Sequence, residues 1–164
     1  MKEKALRTYE CFYNHLPFSH ERGKSDMSQK DKLIAMAKTI LDQAYVPYSK
    51  FPVGAAVMTE SGKFYTGCNI ENAAYPDSCC AERVALFKAI SDGERSFSAM
   101  AVVADTKRPV PPCGSCRQVM SEFFDSDLNI HLANVHNDVK TLTMEELLPF
   151  SFQSDDMDES KKRS

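Results

Sequence analysis

A chain of 164 residues has the length of a single domain, enough to bury roughly two-thirds of the surface that its unfolded form exposes. Its 43% hydrophobic and 26% charged residues are those of an ordinary soluble globular protein, and a net charge of −3 without any basic block argues against a nucleic-acid binder. No apolar run approaches the length of a membrane span, and the first residues lack the layout of a secretory signal.

Taken in order, residues 1–26 mix Tyr9, Phe12, Tyr13 and Phe18 with charges at no steady period, and they contain Pro17 and Gly23. The reading is a poorly ordered N-terminal extension, with a short helix at 2–13 docked on the domain as the alternative. The compact domain is expected over 27–152. It opens with Ser28 as the N-cap of a helix whose apolar face runs through Leu33, Ile34, Ala37, Ile40, Leu41 and Ala44 before Pro47 stops it. Val53 to Met58 reads as a buried strand, Ser61-Gly62 as a hairpin turn, and Phe64 to Cys68 as the returning strand. Gly54 and its neighbouring alanines keep one sheet face low, so a helix or ligand can approach closely.

A loop through Pro76 leads to a second helix from about Cys80 to Ser91, stopped by Gly93. Ser98 to Ala104 is apolar almost throughout and is expected to be a central strand covered on both faces. A Pro-rich loop, 108–112, feeds a third helix from Gly114 to Phe124, followed by strands at Leu128 to Ala133 and Val139 to Leu142. Thr143-Met144-Glu145-Glu146 has the form of a capping box opening a short helix that Pro149 closes. Residues 153–164 are polar, with an acidic run before Lys161-Lys162-Arg163, and are expected to be disordered. The order is α/β, a sheet with helices on both faces.

The chemistry concentrates in Cys80-Ala81-Glu82-Arg83 and Pro112-Cys113-Gly114-Ser115-Cys116. Without an export signal the expected compartment is the cytoplasm, where structural disulfides are rare, so clustered cysteines point to metal or catalysis. Cys113 and Cys116 lie on one face of a first helical turn, and Cys80 arrives from another helix start. Thiolates are favoured at such ends by the peptide N–H groups and the helix dipole. Cys80, Cys113 and Cys116 are one ligand short of a closed structural zinc site, which leaves a position for water and places Glu82 to handle its proton. For that, Glu82 must reach back from the first turn. Zinc with three thiolates carries net negative charge, so Arg83 is the candidate to withdraw charge from a ligand sulfur.

These two stretches, with Phe51-Pro52-Val53-Gly54-Ala55-Ala56 and Cys68-Asn69-Ile70-Glu71-Asn72-Ala73, resemble the small, three-cysteine, homotetrameric cytidine deaminases. The resemblance runs from about Asp31 to Phe152. It implies a three-layer α/β/α sandwich on a mixed five-stranded sheet, one Zn2+ per subunit, and hydrolysis of cytidine and deoxycytidine to uridine and deoxyuridine in pyrimidine salvage. Glu82 would take the water's proton, deliver it to the pyrimidine ring and help ammonia leave. Phe51 would pack on the base, the Ala81 backbone would read the pyrimidine amide, and Asn69 and Glu71 would bind the ribose hydroxyls. Tyr75 would reach into a neighbouring subunit's site and Phe152 would stack over the base, with Phe150 competing for that role. Nucleic acid and membrane are not expected partners.

Rival readings remain open on the residues alone. Cys113-Gly114-Ser115-Cys116 also suits a thioredoxin-like redox protein, which would leave Cys80 and Glu82 idle. A structural zinc module would need a fourth ligand such as Cys79, Cys68 or His131. Blasticidin-type deaminases share the three-cysteine layout, yet the Asn69/Glu71 pair favours ribose, and a free-base enzyme would have no use for that pair.

Overall fold

The computed structural model describes residues 27–161, so the expectations for 1–26 lie outside the described residues. Helix α1 (Gln29–Thr39) starts where Ser28 accepts a bond from the Asp31 N–H, and it tightens into a 3-10 turn, Ile40–Gln43, rather than continuing as an α-helix to Ala44. Strands β1 (Val53–Thr59) and β2 (Phe64–Cys68) form the hairpin. Helix α2 (Ala81–Ser91), strand β3 (Phe97–Ala104) and helix α3 (Gly114–Ser121) follow. Then come β4 (Asn129–Asn134), β5 (Val139–Thr143), α4 (Met144–Leu147) and α5 (Ser154–Lys161). The capping box at Thr143 and Glu146 forms as the sequence predicts.

The sheet order is β2-β1-β3-β4-β5, with β3 and β4 parallel and the other neighbours antiparallel. Successive side chains of a strand face opposite layers. Ala56, Met58, Ala99, Ala101, Val103 and Ala133 therefore meet Leu33 and Ala37 of α1. Ala55, Val57, Met100, Val102, Ile130 and Leu132 meet α2, α3 and α4 on the other side. The small side chains on the α1 face let that helix sit close. A Cβ on Gly54 would lie 2.0 Å from the Ala37 carbonyl oxygen.

Register decides where the chain's functional segments meet. Cys68, Gly54, Val103 and Ala133 form a row across one end of the sheet. Chain leaving β2 and β3 at this end runs into the starts of α2 and α3. Open α/β sheets usually carry their ligands at this strand end.

Two further sequence readings differ from the structure. Helix α3 ends at Ser121 rather than Phe124, because Phe123 and Phe124 N–H groups both turn back to the Met120 carbonyl. The polar segment expected to lack structure carries α5. Its first turn is supported by Asp156, whose carboxylate accepts from the Gln153 N–H at 2.9 Å, and by Asp155 and Asp156 at the positive end of the helix.

Candidate metal centre and substrate groove

Cys80 and Cys113 are both N-cap residues, the last extended residue before a helix begins. Cys113 Sγ accepts from the Cys116 N–H at 3.4 Å, so the sulfur occupies the place a capping hydroxyl would take. The sulfurs of Cys80, Cys113 and Cys116 lie within 4.8 Å of one another, and Cys80 Sγ is 3.9 Å from Cys113 Sγ. Two sulfurs bound tetrahedrally to one zinc at ~2.3 Å stand about 3.8 Å apart, so the spacing fits.

Electrostatics argue the same way. A bond from the Cys116 thiol, assisted by Arg83, pulls Cys80 down to about 5 in spite of burial. The same contact and its own burial push Cys116 upward. The three sulfurs cannot all ionise side by side without a cation to neutralise them. This donor set therefore fits a divalent soft-ligand metal.

Glu82 meets the geometric condition set by the sequence. It is 4% exposed, and its carboxylate lies within reach of the Cys116 sulfur. Burial raises it to about 7, with the Cys80 charge adding to the rise and the Cys116 and Arg83 contacts opposing it. Arg83 donates to the Ser78 carbonyl at 2.9 Å and stands 3.9 Å from Cys80 Sγ, while its buried Nε finds no protein acceptor. Among the described residues no fourth side chain joins the cluster. Cys68 donates to the Gln43 carbonyl, and His131 bonds Thr141 on the α1 side of the sheet. Cys79 is half-buried, and burial pushes its thiol up rather than down.

Beside Cys80 opens a groove of about 350 Å³ lined by Tyr48, Ser49, Asn69, Ile70, Glu71, Tyr75, Ser78 and Cys79. A larger hollow of about 470 Å³ near α4 and α5 contains none of the cysteines, so the chemistry points to the smaller one. The groove brings together Asn69, Glu71, Tyr75 and Cys80. Phe51, Ala81 and Phe152 do not line it. Ala81 is fully buried at the first position of α2, whereas Phe51 is 41% and Phe152 60% exposed. Tyr75 is 69% exposed and meets Tyr48 edge-on at 5.6 Å.

Asn69 and Glu71 turn out to be tied to the chain itself. Asn69 Oδ1 accepts from the Val53 N–H at 2.8 Å, and its Nδ2 donates to the Phe51 carbonyl at 2.9 Å. Glu71 accepts from the Tyr48 and Ser49 N–H groups, and bonds from Ser49 and Tyr48 hold it below the ordinary carboxylate value. The pair thus shapes the Tyr48–Phe51 loop, and each group keeps capacity for a further partner. Sequence reasoning missed Tyr48, Ser49 and Ser78, whose backbone groups bond Glu71 and Arg83 across a long separation or outside any motif. It also missed Gly67, where a Cβ would stand 2.4 Å from Ala85 N and 2.6 Å from the Ala81 carbonyl oxygen.

Comparison with known proteins decides the family. The cytidine and deoxycytidylate deaminase zinc-binding region matches residues 27–132. This chain belongs to that family. It is 56% identical over 127 residues to a cytidine deaminase of Sporosarcina psychrophila, a match covering 77% of this chain and 93% of that one. A cytidine deaminase of Halalkalibacterium halodurans is 52% identical over 130 residues, covering 79% and 98% of the two chains. The crystal structure of the Burkholderia pseudomallei cytidine deaminase superposes with a TM-score of 0.74 at 47% identity, covering 77% of this chain and all (100%) of that one. The family domain is zinc-binding, and the deaminase has its sulfur donors in the Cys80, Cys113 and Cys116 cluster. The α/β sandwich on a mixed sheet is the family's fold.

Proposed function

We propose that this deaminase hydrolyses cytidine and deoxycytidine to uridine and deoxyuridine with release of ammonia. The observation that carries the reading is a buried Glu82, raised to about 7, beside three clustered sulfurs of which none completes a closed site. When bound by Cys80, Cys113 and Cys116, zinc would supply Lewis-acid activation of a water.

Glu82 holds and moves the protons. A carboxylate near neutrality can take one from the attacking water and deliver it to the ring nitrogen next to C4. It can then take a second from the hydroxyl now on C4 and pass it to the amino group, which leaves as ammonia while the C4 carbonyl forms. Its burial keeps bulk water from short-circuiting that transfer. Arg83, fixed on the Ser78 carbonyl, withdraws charge from the Cys80 sulfur. Asn69 and Glu71 are read as ribose ligands because both line the groove beside Cys80 and can each take a further hydrogen bond. Phe51 and Phe152 are read as base contacts, and the Ala81 backbone as the reader of the pyrimidine amide.

The finer readings belong to the same proposal. A homotetramer with shared sites is supported by the exposure of Tyr75, Phe87, Phe150 and Phe152, apolar surface that a second copy would cover. Work in the cytoplasm is supported by the free-thiol cluster, which a reducing compartment preserves, and work in pyrimidine salvage by the conversion of a cytosine nucleoside to a uracil nucleoside. The deciding experiment measures ammonia release by zinc-loaded protein from cytidine, deoxycytidine, cytosine and blasticidin S. Turnover is expected with both nucleosides and neither of the others. Silence with both nucleosides would end the proposal.

A further inference from the structure

Directly after Cys116, Arg117 uses its guanidinium as a fork between two distant segments. Its Nε donates to the Pro112 carbonyl at 2.8 Å, and a terminal nitrogen donates to the Leu147 carbonyl at 2.9 Å. Pro112 and Leu147 are both buried, so the bonds sit in fixed surroundings where a lost partner is costly. One tine of the fork thus holds the residue that immediately precedes Cys113. The other holds the end of α4, from which the chain continues into Phe150 and Phe152. The neighbouring Gln118 adds a separate tie, donating to the Phe152 carbonyl at 2.9 Å.

From this geometry we infer that Arg117 is a positioning residue coupling the metal-binding loop to the C-terminal aromatic segment. Ordering of one segment restricts the other through a single planar guanidinium bonded to both. A charge alone does not suffice: a lysine ammonium is a point donor on a flexible stem and does not reproduce the planar fork. Coupling of this kind is reciprocal, so holding Cys113 on a metal must also hold residues 144–153. Only the part that concerns substrate affinity rests on the proposed deaminase reaction.

Hydrogen exchange of the full-length protein, followed by mass spectrometry with zinc and after chelation, tests the inference. In the wild type, zinc should slow exchange over 144–153. Arg117→Ala and Arg117→Lys should both abolish that difference over 144–148, where Arg117 alone makes the tie, and Gln118→Ala should leave the 144–148 response intact. Should chelation unfold the protein globally, zinc-loaded Arg117→Ala and Arg117→Lys must still exchange faster over 144–148 than the wild type. A wild-type response in Arg117→Ala, or in the fallback no faster exchange, overturns the coupling. At saturating zinc, Arg117→Ala should also raise KM for cytidine roughly 10-fold with a much smaller change in kcat. Lost exchange coupling with an unchanged KM upholds the fork and removes Phe152 from the substrate site.

Discussion

Helix α2 delivers Cys80 from a densely packed start, with Ala81, Glu82 and Ala85 buried and Gly67 of β2 pressed against them. Helix α3 delivers Cys113 from an open one: Cys113 is exposed, and a side chain on Gly114 would meet nothing within 4 Å. The first start is positioned by van der Waals contact with the sheet. The second is positioned by polar ties from Arg117 and Gln118. The difference explains why the proton-handling group sits on α2. Only the packed start removes a carboxylate from water far enough to bring Glu82 to about 7.

Glu82→Gln attacks the packed start most directly. It should lower kcat by about 10²- to 10⁴-fold while metal analysis still finds one zinc per subunit. Near-wild-type turnover in a zinc-loaded mutant would remove Glu82 from the chemistry. Gly67→Ala and Gly54→Ala then separate the α2 side of the sheet from the α1 side. Each places a Cβ into backbone, at 2.4 Å and 2.0 Å, and should cost about 1–3 kcal/mol in urea unfolding. Only Gly67→Ala should also weaken zinc retention in a chelator competition, because it displaces the helix that carries Cys80. Equal zinc loss in both would erase the distinction.

Metal-free protein offers a subtler comparison. Between about 4.5 and 7, folded Glu82 keeps a proton that its unfolded form has released, so its contribution to stability falls as pH rises. Between about 5 and 9, folded Cys80 has released a proton that its unfolded form keeps, so its contribution rises with pH. The two slopes oppose each other from about 5 to 7. Urea titrations of chelated Glu82→Gln should therefore show stability climbing with pH more steeply there than in the wild type. A parallel curve would mean that Glu82 is not held in its proton-retaining environment.

The smallest effect concerns the C-terminal segment. Phe150 is fully exposed in the subunit and sits at φ 55°, a conformation that costs a side chain about 1 kcal/mol. Phe150→Gly relieves that strain but removes apolar surface that a second copy would cover, so its expected signature is an unchanged KM, whereas Phe152→Ala should raise KM. A raised KM in Phe150→Gly would transfer the stacking role to Phe150.

The amino-acid order by itself determined what depends on neighbours along the chain. Ser28 and Thr143 cap their helices through residues three positions on, strand faces follow a period of two, and Cys113 and Cys116 share a turn. The spacing of Glu82 from Cys80 and the Pro-Cys-Gly-Ser-Cys run likewise carried the metal chemistry and the family. Tertiary structure alone decided how segments far apart in sequence meet. Asn69 and Glu71 grip the backbone of residues 48–53, Gly67 admits α2, Phe87 is left outside, and Arg117 spans from Pro112 to Leu147. Those contacts follow from strand order and register, which bring together groups whose separation along the chain carries no information about their distance in space.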